Sequence, residues 1–310
     1  MKFTNKQNLP QPYYSAVAND DYDSGVCDYT PSSLIRPPYM ARLLRDHNDE
    51  IEVDVADRFY SLMGQMAHKL LETADTTAST EVRIYKEFQK WVIGMKYDRL
   101  YIDKETAILQ DWKMTTSYKF TKDFNGNYPE IDEWEIQLNI GAYILRNGGY
   151  TIERKEKVPF KPQKINQIVI VGLIRDWQKK EADNNHLYPQ HPVIVRGIRM
   201  WSDKEVESYL SSRCQEHDDA IKSPSIEYVK PCTPKEMWQR PDRFALMKFG
   251  NKRAVKLFDS QSAISKHITE NNLDPKKHFI EPRPGERIRC ERGYCDVAKF
   301  CPNFNQSKES

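Results

Sequence analysis

The chain has 310 residues, enough for one large domain or a core with an appended module. Its 47 Lys and Arg nearly balance 45 Asp and Glu, a formal net charge of +2, so no global field advertises a nucleic-acid partner and any basic groove has to be local. The N-terminus has no apolar signal core and no stretch is long enough to span a bilayer, which predicts no membrane partner and a cytoplasmic protein whose six cysteines are not expected as disulfides, so that metal or cluster ligation becomes the first alternative.

Residues 1–28 are polar and rich in Pro, Asn and Asp, and read as a loosely ordered N-terminal segment. Thr30-Pro31-Ser32-Ser33 offers a helix start, with Pro37 and Pro38 interrupting the helix soon after it opens. The run from Val55 to Thr73 predicts a helix whose Phe59, Leu62, Met63, Met66 and Leu70 form a buried stripe. His68 rides on that helix, and Gly64 one turn earlier lets a group approach the backbone closely beside the imidazole.

Glu81 to Phe88 reads as a strand leading into the hairpin of Val92 to Thr116, which turns at Asp103-Lys104-Glu105-Thr106. Side chains two apart share a strand face, so Asp111 and Lys113 point one way and Trp112 the other, and pairing across the hairpin can bring Asp98 to Asp111. Two converging carboxylates beside an ammonium suit a hard cation, with the ammonium left to steady a water or a phosphate oxygen. The plain alternative is a half-exposed hairpin with surface charges.

A Gly/Asn-rich loop then precedes a helix from about Glu130 to Arg146, which carries Gln137 and stops at Asn147-Gly148-Gly149. Lys164 to Trp177 is an apolar, central strand, and Pro192 to Trp201 another. Ser202 to Glu205 is a capping box opening a helix to about Ile221. The break at KSPSIEYVKPCTP divides a core of residues 29–222 from a module of residues 223–310. That module holds a small hairpin turning at Gly250-Asn251, a short helix near Ala263 to Asn271, and a loop-rich end.

The end carries Cys290, Cys295 and Cys301. Crowded thiolates are costly unless something positive binds them. Their spacing is wide for zinc and no histidine lies between them, whereas a four-thiolate cluster tolerates wider gaps and needs one more cysteine. Cys214 falls mid-helix, so Cys232, between prolines, is the first choice and Cys27 the rival; spacing leaves a [4Fe-4S] cluster and Zn²⁺ both open. Arg283, Arg287, Arg289 and Arg292 ring the segment, either as a solvated loop or as a local phosphate grip.

Together His68, Asp98, Asp111-Trp112-Lys113 and Gln137, with the order helix, three strands, helix, strand, resemble the PD-(D/E)XK nuclease superfamily in its RecB-like branch. The cysteine tail is similar to that of the four-cysteine iron-sulfur exonucleases of CRISPR-associated and phage-encoded types. The resemblance implies an α/β, restriction-endonuclease-like mixed sheet flanked by helices, with a small cysteine-rich module after it. It implies Mg²⁺ or Mn²⁺ held by His68, Asp98, Asp111 and the Trp112 carbonyl. Lys113 would orient the attacking water, and Gln137 would support the site or contact the DNA backbone. The implied substrate is DNA, single-stranded or with free ends, and the implied associates are recombination or replication proteins, in the host cytoplasm for a phage-encoded member. Two departures stand out: Gly94 is four residues before Asp98 where the family has three, and Gly141 stands where the family's helix has a tyrosine, with Tyr143 two later. The same fold could instead carry a protein that binds nucleic acid or a recombination partner without cleaving it.

Overall fold

In a computed structural model the described residues are 1–19, 25–74, 77–103 and 106–309, with 306–309 described as backbone only. They form two compact units, the first Met1–Arg36 with Glu52–Lys222, the second Pro37–Ile51 with Ser223–Ser310. The segment 37–51, which the sequence assigns to the core, therefore belongs with the C-terminal unit; the Pro37-Pro38 break is where the chain leaves the first unit.

The first unit opens with β1 (Lys2–Thr4) and α1 (Gln11–Ala18), so residues 1–19 of the N-terminal segment carry regular structure where low apolar content predicts loose order, residues 20–24 lying outside the described residues. Its ordering comes from pairing and not from a local core: β1 adds in parallel to β2 (Glu52–Asp54), and Asp54 accepts from Thr4 Oγ1 at 2.9 Å and from the Lys6 amide at 2.9 Å. α2 (Pro31–Ile35) is capped by Thr30 and Ser33 reciprocally, while α3 (Pro38–Asp46) lies in the second unit. A 3₁₀ turn over Val55–Arg58 leads into α4 (Phe59–Ala74).

A seven-stranded mixed sheet comes next, built from β3 (Ser79–Phe88), β4 (Trp91–Asp103), β5 (Thr106–Thr115), β6 (Gly149–Glu153), β7 (Glu156–Phe160), β8 (Ile165–Ile174) and β9 (Val193–Gly197) in the order β7-β6-β3-β4-β5-β8-β9. Among the described residues of this sheet only β5 and β8 are neighbours in parallel, and their connection runs through α5 (Asp132–Arg146) and the β6–β7 hairpin. α6 (Lys179–Asn184) precedes β9, and α7 (Asp203–Lys222) starts at the Ser202/Glu205 capping box, where the Glu205 amide donates to Ser202 Oγ and the Ser202 amide to Glu205 Oε2. The core joins Ile168 and Ile170 of β8 to Leu138, Ile140 and Ile144 of α5, while Val169 and Val171 are buried on the strand's other face. Gly141 explains how α5 comes so close to the sheet: a Cβ there would stand 2.5 Å from Met95 Sδ and 3.3 Å from Leu109 Cδ2.

α4 departs from its predicted stripe. No residue of it is buried, and Phe59, Met66 and Leu70 are 46%, 55% and 69% exposed. The 3.6-residue pattern is present, yet among the described residues no element covers that side. Lys104 and Glu105 of the expected turn lie outside the described residues, though Asp103 pairs with Thr106 as a tight hairpin requires.

The second unit adds a three-stranded antiparallel sheet, β10 (Arg243–Lys248), β11 (Lys256–Phe258) and, after α8 (Gln261–Glu270), β12 (His278–Arg283), in the order β11-β10-β12. Gly250, at φ +84°, makes the predicted turn. α9 (Ile288–Glu291) and α10 (Pro302–Glu309) bracket the last two cysteines. Among the described residues no helix is long and apolar enough to cross a membrane.

Candidate metal centre

Two short turns align three carboxylates. In the β4–β5 hairpin Arg99 pairs with Gln110, which sets Asp98 opposite Asp111. In the β3–β4 hairpin Phe88 pairs with Trp91 across Gln89-Lys90, and Thr80 with Arg99, which sets Glu81 opposite Asp98. Glu81, Asp98 and Asp111 thus form one row across three neighbouring strands. Glu81 is absent from the site expected on sequence grounds. The signal was countable: a two-residue turn at Gln89-Lys90 fixes the register back to residue 81.

Glu81 sits at φ +55°, a left-handed backbone inside a strand that costs a non-glycine residue of order 1 kcal/mol. Its carboxylate is held by Lys96, and its Oε1 lies 3.8 Å from His68 Nδ1. His68 Nδ1 is also 3.6 Å from Asp98 Oδ2, and ligand atoms of His68, Glu81 and Asp98 all lie within 4.8 Å of one another. Asp98 Oδ2 accepts the Trp112 amide at 2.7 Å, while His68 Nε2–H donates to the Trp112 carbonyl at 3.1 Å. The imidazole and the carbonyl assigned to one cation are therefore hydrogen-bonded to each other here.

Asp111 is 2% exposed. Its Oδ2 lies 2.6 Å from Lys113 Nζ as an ion pair, yet no donor among the described residues meets it with hydrogen-bond geometry. His68, Glu81 and Asp98 form a donor set that fits a hard or borderline divalent cation, and Asp111, opposite Asp98 in the register with a buried oxygen lacking a directed donor, lies next to that group rather than within it. Lys113 Nζ donates to Gln137 Oε1 at 3.2 Å, so Gln137 reaches the site through Lys113. Leu109, Asp111 and Lys113 share the β5 face that α5 covers, which is why a helix amide can steady a strand ammonium.

The electrostatics are those of a site short of positive charge. Burial, then the like charge of Asp111, pushes Asp98 up to about 7. His68 is raised by the Glu81 carboxylate beside it, with the charges of Asp98 and Asp111 adding to it. Burial would raise Glu81, but His68 and Lys96 beside it outweigh that and hold the carboxyl below its usual range.

Tyr143 is not part of the site. It is buried, donates to Glu207 at 3.0 Å and meets the ring of Phe88 edge-on, so the doubtful match at this position is a core residue. Gly94 is also a packing glycine: a Cβ there would stand 2.7 Å from Cys27 Sγ.

In the second unit Cys232, Cys290, Cys295 and Cys301 line one cavity of about 250 Å³ together with Tyr39, Met40 and Arg287. Burial pushes the Cys232 thiol up to about 12 and Cys295 to about 11, with the neighbouring cysteines adding to both, and burial raises Cys290 as well. Cys27 lies in the first unit beside Gly94 of β4, and Cys214 is fully buried in α7. Of the basic ring, Arg292 pairs with Glu286 at 2.6 Å and Arg283 with Glu281 at 2.8 Å, while Arg289 lies 4.1 Å over Trp238.

No protein-family profile matches the chain, and no curated protein matches it. Among solved structures it is similar to the crystal structure of SSO0001, with a TM-score of 0.38 and 13% identity over 65% of this chain and 82% of that one. Likeness at that level carries no argument about this chain.

Proposed function

We propose that the first unit is a divalent-metal-dependent nuclease of the PD-(D/E)XK type, hydrolysing phosphodiester bonds in DNA as an exonuclease. The observation that carries this is the row Glu81, Asp98, Asp111 closed by His68 on one side and by the Lys113–Gln137 pair on the other. The succession α4, β3, β4, β5, α5, β8, with β8 parallel to β5, supports the fold assignment. Three converging carboxylates repel phosphate unless a cation lies between them, so a purely DNA-binding role leaves the row without a purpose.

When bound, Mg²⁺ or Mn²⁺ would offset charge on the scissile phosphate and acidify a water. Asp98, Asp111 and Glu81 would supply its oxygen ligands and His68 a nitrogen, which favours Mn²⁺ over Mg²⁺. Lys113, held between Asp111 and Gln137, would orient the water and meet charge developing on the phosphate. Lys96 holds Glu81 and keeps it ionised.

For the second unit we propose a [4Fe-4S] cluster on Cys232, Cys290, Cys295 and Cys301 as a structural staple. Four thiols lining one cavity, with Cys232, Cys290 and Cys295 made costly to ionise by burial, fit a site that is completed by a positive centre. The test is degradation of end-labelled single- and double-stranded DNA by anaerobically purified protein with EDTA, Mg²⁺ or Mn²⁺. Metal-dependent release of nucleotides is expected; intact DNA in all three conditions overturns the reading.

A further inference from the structure

The helix that carries His68 also carries an open row toward solvent. Tyr60, Gly64 and His68 are spaced i, i+4, i+8 and follow one side of α4 over eight residues, about 12 Å of helix. At Gly64, midway between the imidazole and Tyr60, a Cβ would meet no atom of the described residues outside the helix's own backbone within 4 Å, so there is room for a larger side chain at that point. At the far end Tyr60, 57% exposed, has the Arg175 guanidinium 3.6 Å from its ring centre. Arg175 follows β8 and is tied to the end of β5, its amide donating to Thr115 O at 3.0 Å. The next turn is pinned there too, since the Ser117 amide donates to Asp176 at 2.6 Å, and it presents Tyr118, 69% exposed.

Two exposed phenol rings and a guanidinium, held at the strand end that leads from Asp111 and Lys113, have the chemistry of a base-stacking and phosphate-binding platform. Stacking on such rings requires unpaired bases, which a duplex keeps inside its own stack. We propose that a single nucleic-acid strand reaches the metal centre along the Tyr60–Gly64–His68 row, its bases on Tyr60 and Tyr118 and a phosphate on Arg175. The inference rests on the phosphodiesterase reading and adds to it the residues that carry the strand to the site.

The test separates the two, because binding is measured without metal. Anisotropy of a labelled oligothymidylate and of a blunt duplex is titrated with full-length protein in EDTA, for the wild type, Tyr60→Ala, Arg175→Ala and Gly64→Leu. The wild type should prefer the single strand, and Tyr60→Ala should weaken it by about five- to a hundredfold. Gly64→Leu is the sharper probe: it fills space that the protein leaves open, improves helix propensity and should melt no lower than the wild type, yet weaken the single strand at least tenfold. Equal affinity for strand and duplex, no binding by the wild type, or unchanged binding by Tyr60→Ala and a folded Gly64→Leu would overturn the lane. A protein that binds as expected but releases no nucleotide when Mn²⁺ is added keeps the lane and overturns the hydrolase.

Discussion

Replacing Glu81 by glycine should leave the metal-free protein almost as stable while sharply weakening its metal affinity. The left-handed backbone at φ +55° costs about 1–2 kcal/mol for any residue with a Cβ, and glycine removes that cost. Against it stand about 1 kcal/mol for the freer unfolded chain and up to about 1 kcal/mol for the lost pair with the partly exposed Lys96. The sum lies within about 1 kcal/mol of zero, a shift of only a few degrees in melting temperature for a chain of this size. Mn²⁺ affinity should fall by about ten- to a hundredfold, the loss typical when a group that holds or orients a ligand is removed. Melting in EDTA and calorimetric Mn²⁺ titration measure the two effects on one preparation. Glu81→Gln, which keeps the strain but removes the charge, should lose the same affinity. If Glu81→Gly drops the melting temperature by ten degrees or more while Mn²⁺ binds as before, Glu81 is a structural partner of Lys96 and not part of the centre.

Asp98, raised to about 7 by burial and then by Asp111, binds a proton in the folded apo protein that the unfolded chain sheds near pH 4. Its contribution therefore makes apo stability fall as pH rises from about 4 to 7. Mn²⁺ affinity should rise over the approach to pH 7 by up to about tenfold per unit, and calorimetry at pH 5.5, 6.5 and 7.5 checks the slope. His68→Ala should weaken Mn²⁺ more than Mg²⁺; equal losses would return the imidazole to a role in holding Trp112. Cys232→Ser should abolish the brown colour and the absorbance near about 400 nm that a cluster gives anaerobic protein, and Cys27→Ser should not. Stoichiometric zinc with no iron would replace the cluster with a zinc site. Loss of any cavity cysteine should raise protease sensitivity of the second unit first.

The elements that read clearly are those whose pattern and punctuation agree: β3 to β5, the β8 run, and α7 behind its capping box. The β6–β7 hairpin did not, because its turn places Arg154 and Lys155 at φ +49° and +72° with no Gly or Asn to mark it. α4 was legible as a helix, but its pattern could not say that Met66 and Leu70 face outward, since burial depends on what packs against a stripe. Asp98, Asp111 and Lys113 were legible as a set from residue type and spacing, His68 was added to them by the family resemblance, and the structure brings the four together. Glu81 was missed because its place depends on register across a hairpin, a non-local fact. Tyr143 misled because position along a helix says little about which side faces the site.

The central claim is that phosphodiester hydrolysis is carried out by the groups on β5. Wild type, Asp111→Asn and Lys113→Ala, purified alike and matched by circular dichroism, should be compared in single-turnover cleavage of 5′-labelled single-stranded DNA with Mn²⁺. Loss of a charge-stabilising group costs about 10²–10³ in rate and loss of a metal ligand more, so both variants should fall by at least that factor. Folded variants that cleave at the wild-type rate would contradict the account.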